Sequence, residues 1–102
     1  PPPGFLGVGG VDVTRALARA LRLPVGEGFG VTFIEPGSPA AEAGIELDDI
    51  IVQLDTTEIT RGQDLTNFLR EHPTGSNIKI TVVRDAQFLV SLEATLIERP
   101  ER

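Results

Sequence analysis

The chain has 102 residues, of which 40% are hydrophobic, and this size allows one domain with a modest core. Its net charge of −6 at pH 7 disfavours nucleic acid as a partner, because the phosphates would meet like charge. Cysteine is absent, which excludes disulfides, thiolate catalysis and cysteine-ligated metals. The sequence contains no run of eighteen apolar residues, so it predicts no membrane-spanning helix.

The first motif along the chain is Phe5-Leu6-Gly7-Val8, directly before a strand predicted over Val8–Val13. Gly7 allows the backbone to turn so that successive N–H groups point into one concavity, which can bind an anion. Leu6 and Val8 would line an apolar hole beside it. The same residues are also typical of an N-terminal strand that enters a core, so the motif alone leaves both interpretations open. Gly9 and Gly10 either weaken the strand or mark the close approach of another backbone.

Helices and strands alternate along the rest of the chain, in the order β-α-β-α-β-α-β-β. Apolar spacing and end signals predict helices over Arg15–Leu23, Ala40–Ala43 and Arg61–Glu71, with Thr14, Ser38 and Thr60 as N-caps. Alternating or continuous apolar runs predict strands over Gly30–Glu35, Ile50–Leu54, Asn77–Arg84 and Gln87–Ile97, with a short extension at Glu58-Ile59. Asp85-Ala86 is predicted as a two-residue hairpin turn, which favours residues at positive φ. We therefore expect a small, strongly curved sheet or partial barrel capped by two helices.

Two further patterns have a structural explanation and a functional one. Arg15, Arg19 and Arg22 form a basic stripe, which indicates either a docking surface or, more commonly, a solvated helix face. The glycines between Val25 and Gly30 do not form a dinucleotide motif. They follow a helix and open a strand, whereas that motif follows a strand and opens a helix.

Two segments resemble the PDZ domains of bacterial proteases. The first runs from Glu35-Pro36-Gly37-Ser38-Pro39 through Gly44-Ile45 to Asp49-Ile50-Ile51, and the second is Gly4-Phe5-Leu6-Gly7-Val8. The order of elements resembles the permuted arrangement of the HtrA/Deg serine proteases. The resemblance implies an α+β fold with a curved, mostly antiparallel sheet. It covers residues 4–98, which leaves residues 1–3 as a linker remnant from a longer chain and residues 99–102 as a polar tail.

The resemblance also implies a binding site for C-terminal peptides, which would add a strand to the sheet edge. The residues implied for binding the peptide carboxylate are Phe5, Leu6, Gly7 and Val8. Those implied for the groove are Gly9, Gly10, Val11, Gly62, Thr66 and Leu69. Leu6, Val8 and Leu69 would surround the last side chain, although Leu69 could instead pack in the core as we expect for Leu65 and Phe68.

Several positions depart from the family pattern. Pro3 stands near the place of a basic residue that often precedes the loop, so carboxylate binding would depend on amide dipoles alone. Gly10 replaces what is usually a bulky pocket residue, which predicts a wide pocket. Gly62, or Gln63 in a shifted register, stands where many eukaryotic domains carry histidine, so a preference for Ser or Thr upstream of the terminus is not expected. Turn positions that often carry glycine in the family hold Asp48, Thr56 and Ala86, so these turns are either differently shaped or strained.

No catalytic or metal motif accompanies these features. His72 is the single histidine, and the serines Ser38, Ser76 and Ser91 lie outside any nucleophile-elbow pattern. Glu46, Asp48 and Asp49 lack the spacing of a calcium loop. We therefore predict a chain that is not itself an enzyme and that uses no cofactor.

Three functions remain open from the sequence. The favoured one is a peptide-binding PDZ module of an HtrA-like serine protease. Its partners would be C-terminal tails of unfolded or partner proteins and the protease domain of the same parent. The family resemblance implies a periplasmic or extracytoplasmic location, with a membrane anchor in the parent as an option, and we expect the isolated domain to be monomeric. The alternatives are a PDZ module of a membrane metalloprotease, a C-terminal processing protease or a secretion protein, and a structural assembly module.

Overall fold

Within residues 3–100, six strands form one sheet in which every strand pair is antiparallel. The computed structural model describes residues 3–100, so most of the linker predicted over residues 1–3 and the end of the predicted tail lie outside the described residues. The strands are β1 (Val8–Val13), β2 (Gly28–Ile34), β3 (Ile50–Leu54), β4 (Thr57–Glu58), β5 (Asn77–Arg84) and β6 (Phe88–Thr95). The helices are α1 (Arg15–Ala20), α2 (Pro39–Ala43) and α3 (Gly62–Arg70).

The sheet is open, with β1 at one end of the path β1-β2-β3-β5-β6 and β4 paired only with β3. The expected small antiparallel sheet with helices against it is thus confirmed. Two successive residues of β3 show how its two faces are used. Ile51 lies in the main core with residues of α2 and α3, whereas Ile50 packs in a smaller cluster with Ala18 of α1. This arrangement leaves β1 as an edge strand next to α3.

Two of the three predicted helix caps are confirmed. The Thr14 hydroxyl accepts a hydrogen bond from Leu17 N–H, and the Ser38 hydroxyl accepts one from Ala41 N–H, both at 3.2 Å. Helix α1 ends three residues before the predicted Leu23, because Arg22 adopts φ 57° and turns the chain out of the helix. The Leu23 N–H then donates a hydrogen bond to the Ala18 carbonyl at 2.9 Å.

The predicted cap of α3 is wrong by one residue. Arg61 occupies the N-cap position without a side-chain hydrogen bond. Thr60 instead donates its N–H and its hydroxyl to Asp64 Oδ2, at 2.9 and 2.7 Å. The Thr60 hydroxyl is the main reason that the pKa of Asp64 lies below its usual range. Asp64, in the first turn of the helix, thus holds the residue before the N-cap, while the first helical N–H, that of Gly62, donates to Asp12 of β1.

The turn between β5 and β6 has the predicted positive φ angles, 56° at both Asp85 and Ala86. Asp48 also has a positive φ, of 74°, but at the β3–β4 turn the positive value falls on Asp55 and not on Thr56. An aspartate tolerates this conformation better than threonine does, because its side chain is short and polar and Thr is branched at Cβ.

Ala86→Gly is expected to stabilise the domain by up to about 1 kcal/mol. The left-handed conformation strains an alanine. Relief of that strain outweighs the greater conformational freedom that glycine has in the unfolded chain. Thermal melts of the two proteins measure the change. A lower melting temperature for the variant would show that Ala86 carries no strain in this turn.

Candidate functional site

The loop Phe5–Val8 is held in place through its own backbone. Phe5 pairs with Ile97, just beyond β6. The Leu6 carbonyl accepts a hydrogen bond from Ala40 N–H at 2.9 Å, and the Gly7 carbonyl accepts one from Glu35 N–H at 2.8 Å. The loop carbonyls therefore point towards α2 and the end of β2, which anchors the loop at the edge of the sheet.

Gly7 is required at the centre of this loop for two reasons. Its φ of 91° is one that residues with side chains rarely adopt, and an added Cβ would lie 2.3 Å from the Ser38 Cβ. Within residues 3–100, the N–H groups of Leu6 and Gly7 donate no hydrogen bond, although both residues are buried. A buried amide without a partner is costly, so this pair of donors favours an acceptor from outside the chain.

A cleft of about 500 Å³ opens beside these amides. Leu6 is buried in its wall, while Val8 and Leu69 are half-buried and pack partly against the core. Thr66 lies on the helical side and is exposed. The full lining consists of Pro3, Gly4, Phe5, Leu6, Gly7, Val8, Leu65, Thr66, Leu69, Arg70, Glu98 and Arg99. The cleft thus brings together the loop and the C-terminal half of α3, as an apolar hole with polar edges.

Four of the expected groove residues lie outside this lining: Gly9, Gly10, Val11 and Gly62. The first three belong to β1, and Gly62 begins α3. Gly62 N–H donates to Asp12 Oδ1 at 2.8 Å, which joins α3 to the far end of β1. The helix start is therefore tied directly to the strand, and the cleft lies at the other end of β1, next to the loop.

The expectation that Gly10 widens the pocket is wrong. A Cβ at Gly10 would lie 1.9 Å from the Gly30 carbonyl oxygen and 3.1 Å from Cε2 of Phe29, so the space is already filled. The register between β1 and β2 shifts here: Gly9 lies opposite Phe33 and Gly10 opposite Val31, which leaves an extra residue in β2, as in a β-bulge. Of the two interpretations of these glycines, close approach of another backbone is confirmed at Gly10.

Two cations, Arg70 and Arg99, line the cleft where the sequence predicted amide dipoles alone. Arg70 Nη1 donates to Asn67 Oδ1 at 3.3 Å along α3. The Arg99 guanidinium carbon lies 5.0 Å from the centroid of the Phe5 ring. Arg70 could have been anticipated, because it lies four residues after Thr66 on the same face of the helix. Arg99 was placed in the polar tail and carried no local signal.

A larger cleft, of about 930 Å³, lies between α1 and the sheet. It contains the basic stripe, in which Arg15 Nε contacts Glu27 Oε1 at 3.0 Å. We assign the site to the smaller cleft, because only that one has the paired amide donors of Leu6 and Gly7 at its edge. Size alone does not identify a ligand.

The remaining candidates for chemistry take part in structural contacts. The His72 ring stacks on Phe68 with centroids 3.8 Å apart, and its Nδ1 lies 2.7 Å from the Phe68 carbonyl oxygen. No group of three or more His, Asp or Glu residues within residues 3–100 is arranged to hold a metal ion. Across the same residues, each helix is too short or too polar to cross a membrane.

Comparison with known proteins identifies the family. The sequence model of the PDZ domain family matches residues 4–93 of this chain. The chain is 30% identical over 97 residues to the serine endoprotease DegS of Escherichia coli K12, covering 95% of this chain and 27% of DegS. It is 33% identical over 91 residues to the periplasmic serine endoprotease DegP of the same strain, covering 88% of this chain and 19% of DegP.

The fold is likewise similar to that of a solved relative. The structure of the HtrA-type protease AlgW with a decapeptide superposes with a TM-score of 0.82 at 32% sequence identity. That match covers 98% of this chain and 30% of the AlgW chain. The chain therefore spans less than a third of the length of each of these relatives.

Proposed function

The chain belongs to the PDZ domain family, and from this membership we propose that it binds C-terminal tails of proteins as a module of an HtrA-like serine protease. The matched residues 4–93 are a PDZ domain, so proteolysis would belong to another domain of the parent. The module would recruit substrate tails or relay their binding to that protease domain.

The observation that carries this proposal is the pair of buried amides at Leu6 and Gly7, which have no acceptor within residues 3–100. A terminal carboxylate offers two oxygens to such donors, and charge-assisted hydrogen bonds are the stronger kind. The apolar hole formed with Val8 and Leu69 suits an apolar last side chain. Phe5, Leu6, Gly7 and Val8 are thus our candidates for carboxylate binding.

The edge position of β1 supports binding by strand addition. β1 pairs with β2 on one side, and its other side faces α3. A peptide that adds to this edge would gain main-chain hydrogen bonds along Gly9, Gly10 and Val11, with Thr66 and Gly62 on the helical side. The glycine at position 62 offers no side chain to select Ser or Thr upstream, so we expect selectivity to be concentrated at the last residue.

The proposed partners are tails of unfolded or partner proteins and the protease domain of the parent chain. The solved AlgW structure contains a decapeptide, and the relative DegP is named as periplasmic. These similarities support an extracytoplasmic location for this chain. We expect the isolated domain to be monomeric.

Amidating the C-terminus of a bound peptide is expected to weaken binding by about 1.5–3 kcal/mol, the scale of a hydrogen bond to a charged group. A library of C-terminal decapeptides would first identify the tightest tail. Calorimetric titration would then compare its free acid with its amide. Equal affinities for the two forms, or a library without any binder, would contradict the proposal and favour a structural assembly module.

A further inference from the structure

The segment after β6 forms one wall of the cleft, next to the loop. Phe5 N–H donates to the Ile97 carbonyl at 2.7 Å, and Ile97 N–H donates to the Phe5 carbonyl at 3.4 Å. Two residues further on, the Arg99 guanidinium carbon lies 5.0 Å from the centroid of the Phe5 ring, within the range of a cation–π contact. Backbone pairing and ring contact together set the position of Arg99 relative to the carboxylate-binding loop.

The cleft carries a local positive charge, although the whole chain has a net charge of −6. Among residues 3–100, its lining contains two arginines, Arg70 and Arg99, and one acidic residue, Glu98. Arg70 is engaged with Asn67 along α3. Within residues 3–100, the Arg99 guanidinium takes part in no hydrogen bond or ion pair. Of the two arginines, Arg99 therefore has all of its guanidinium donors available to a ligand.

We propose that Arg99 acts with the amides of Leu6 and Gly7 to hold the terminal carboxylate of a bound peptide. This inference rests on the proposed function. The amides orient the carboxylate, while Arg99 provides a positive charge. Pro3, near the place of the basic residue in related domains, carries no charge. The segment after the last strand then belongs to the ligand site and is more than a polar tail. Because Arg99 is exposed, its contribution is screened by salt.

The test measures acid and amide forms of the tightest library decapeptide against three proteins: the wild type, Arg99→Gln and Arg19→Gln. Arg19 is an exposed arginine on α1, outside the cleft, so its variant removes the same charge at a distance. We expect Arg99→Gln to weaken the acid form about fivefold at low salt, the scale of an exposed ion pair, and to leave the amide form unchanged. Arg99→Lys is expected to restore most of the acid affinity, because it keeps the charge.

The outcomes separate this inference from the function on which it rests. If Arg99→Gln weakens acid and amide equally, or weakens the acid no more than Arg19→Gln, Arg99 does not contact the carboxylate and the inference is overturned. If the wild type itself binds acid and amide equally, the proposed function fails. Melting temperatures of all variants show whether the fold is preserved, which we expect because both arginines are exposed.

Discussion

Asp49→Ala is expected to destabilise the domain by about 3 kcal/mol, the largest effect that we predict for removing a single side chain. Asp49 is only 1% exposed. Its carboxylate accepts hydrogen bonds from Arg84 Nε at 2.9 Å, Arg84 Nη2 at 2.7 Å and Glu46 N–H at 2.9 Å. The bond from Arg84 to this carboxylate raises the pKa of the guanidinium above its usual range. The pair therefore joins the start of β3 to the end of β5.

The effect is large because the substitution leaves the Arg84 guanidinium without its carboxylate partner. Breaking a buried pair leaves the other charge partly desolvated, which costs about 3–5 kcal/mol. The Arg84 side chain is 20% exposed, which favours the lower end of this range. Glu46 provides a matched control, because it contacts the same guanidinium at 3.6 Å but is 65% exposed. Glu46→Ala is expected to cost less than about 1 kcal/mol.

Urea unfolding of the wild type and both variants gives these free energies. We expect a much lower midpoint for Asp49→Ala and an almost unchanged one for Glu46→Ala. Similar midpoints for the two variants would show that the pair contributes no more than a surface contact. Asp49 and Arg84 do not line the peptide cleft, so the folded fraction of Asp49→Ala should bind peptide as the wild type does.

Gly10→Ala is expected to destabilise the domain by about 3 kcal/mol, although Gly10 is exposed and the change adds one methyl group. The new Cβ would lie 1.9 Å from the Gly30 carbonyl oxygen, so β1 and β2 would have to move apart. Backbone atoms cannot turn aside as a flexible side chain can. The bulge in β2 opposite Gly9 and Gly10 would be distorted next to the edge that we propose for strand addition.

The neighbouring glycine offers a control in the same strand. A Cβ at Gly9 would lie 3.5 Å from the Phe33 Cβ, an ordinary contact distance. Gly9→Ala is therefore expected to change stability by less than about 1 kcal/mol, since it also reduces the entropy of the unfolded chain. Denaturant unfolding of the wild type and the two variants measures both changes in the free energy of unfolding. If Gly10→Ala is as stable as Gly9→Ala, the two strands do not approach each other so closely.

Local signals in the sequence were sufficient for much of the fold. The strands Val8–Val13, Ile50–Leu54 and Asn77–Arg84 have the predicted bounds, because apolar positions and turn residues mark both ends of each. The short helix α2 was predicted almost completely from the Ser38 cap and the Gly44 stop. The positive φ angles of Asp85 and Ala86 were predicted because only that conformation closes so short a turn between twisted strands.

Six of the ten residues that the sequence proposed for the site line the cleft, whereas its charged residues and its extent were not predicted. The loop Phe5–Val8 and Leu69, which the family resemblance placed in one site, line the same cleft. The role of Gly10 depends on the Gly30 carbonyl in a different strand, and the place of Arg99 depends on pairing between Phe5 and Ile97 at opposite ends of the chain. Periodicity and caps report on neighbours in sequence, whereas these contacts exist only after the sheet has formed. The sequence by itself thus determined the elements and the loop, and the tertiary structure decided which backbone fills the space at Gly10 and which charges line the cleft.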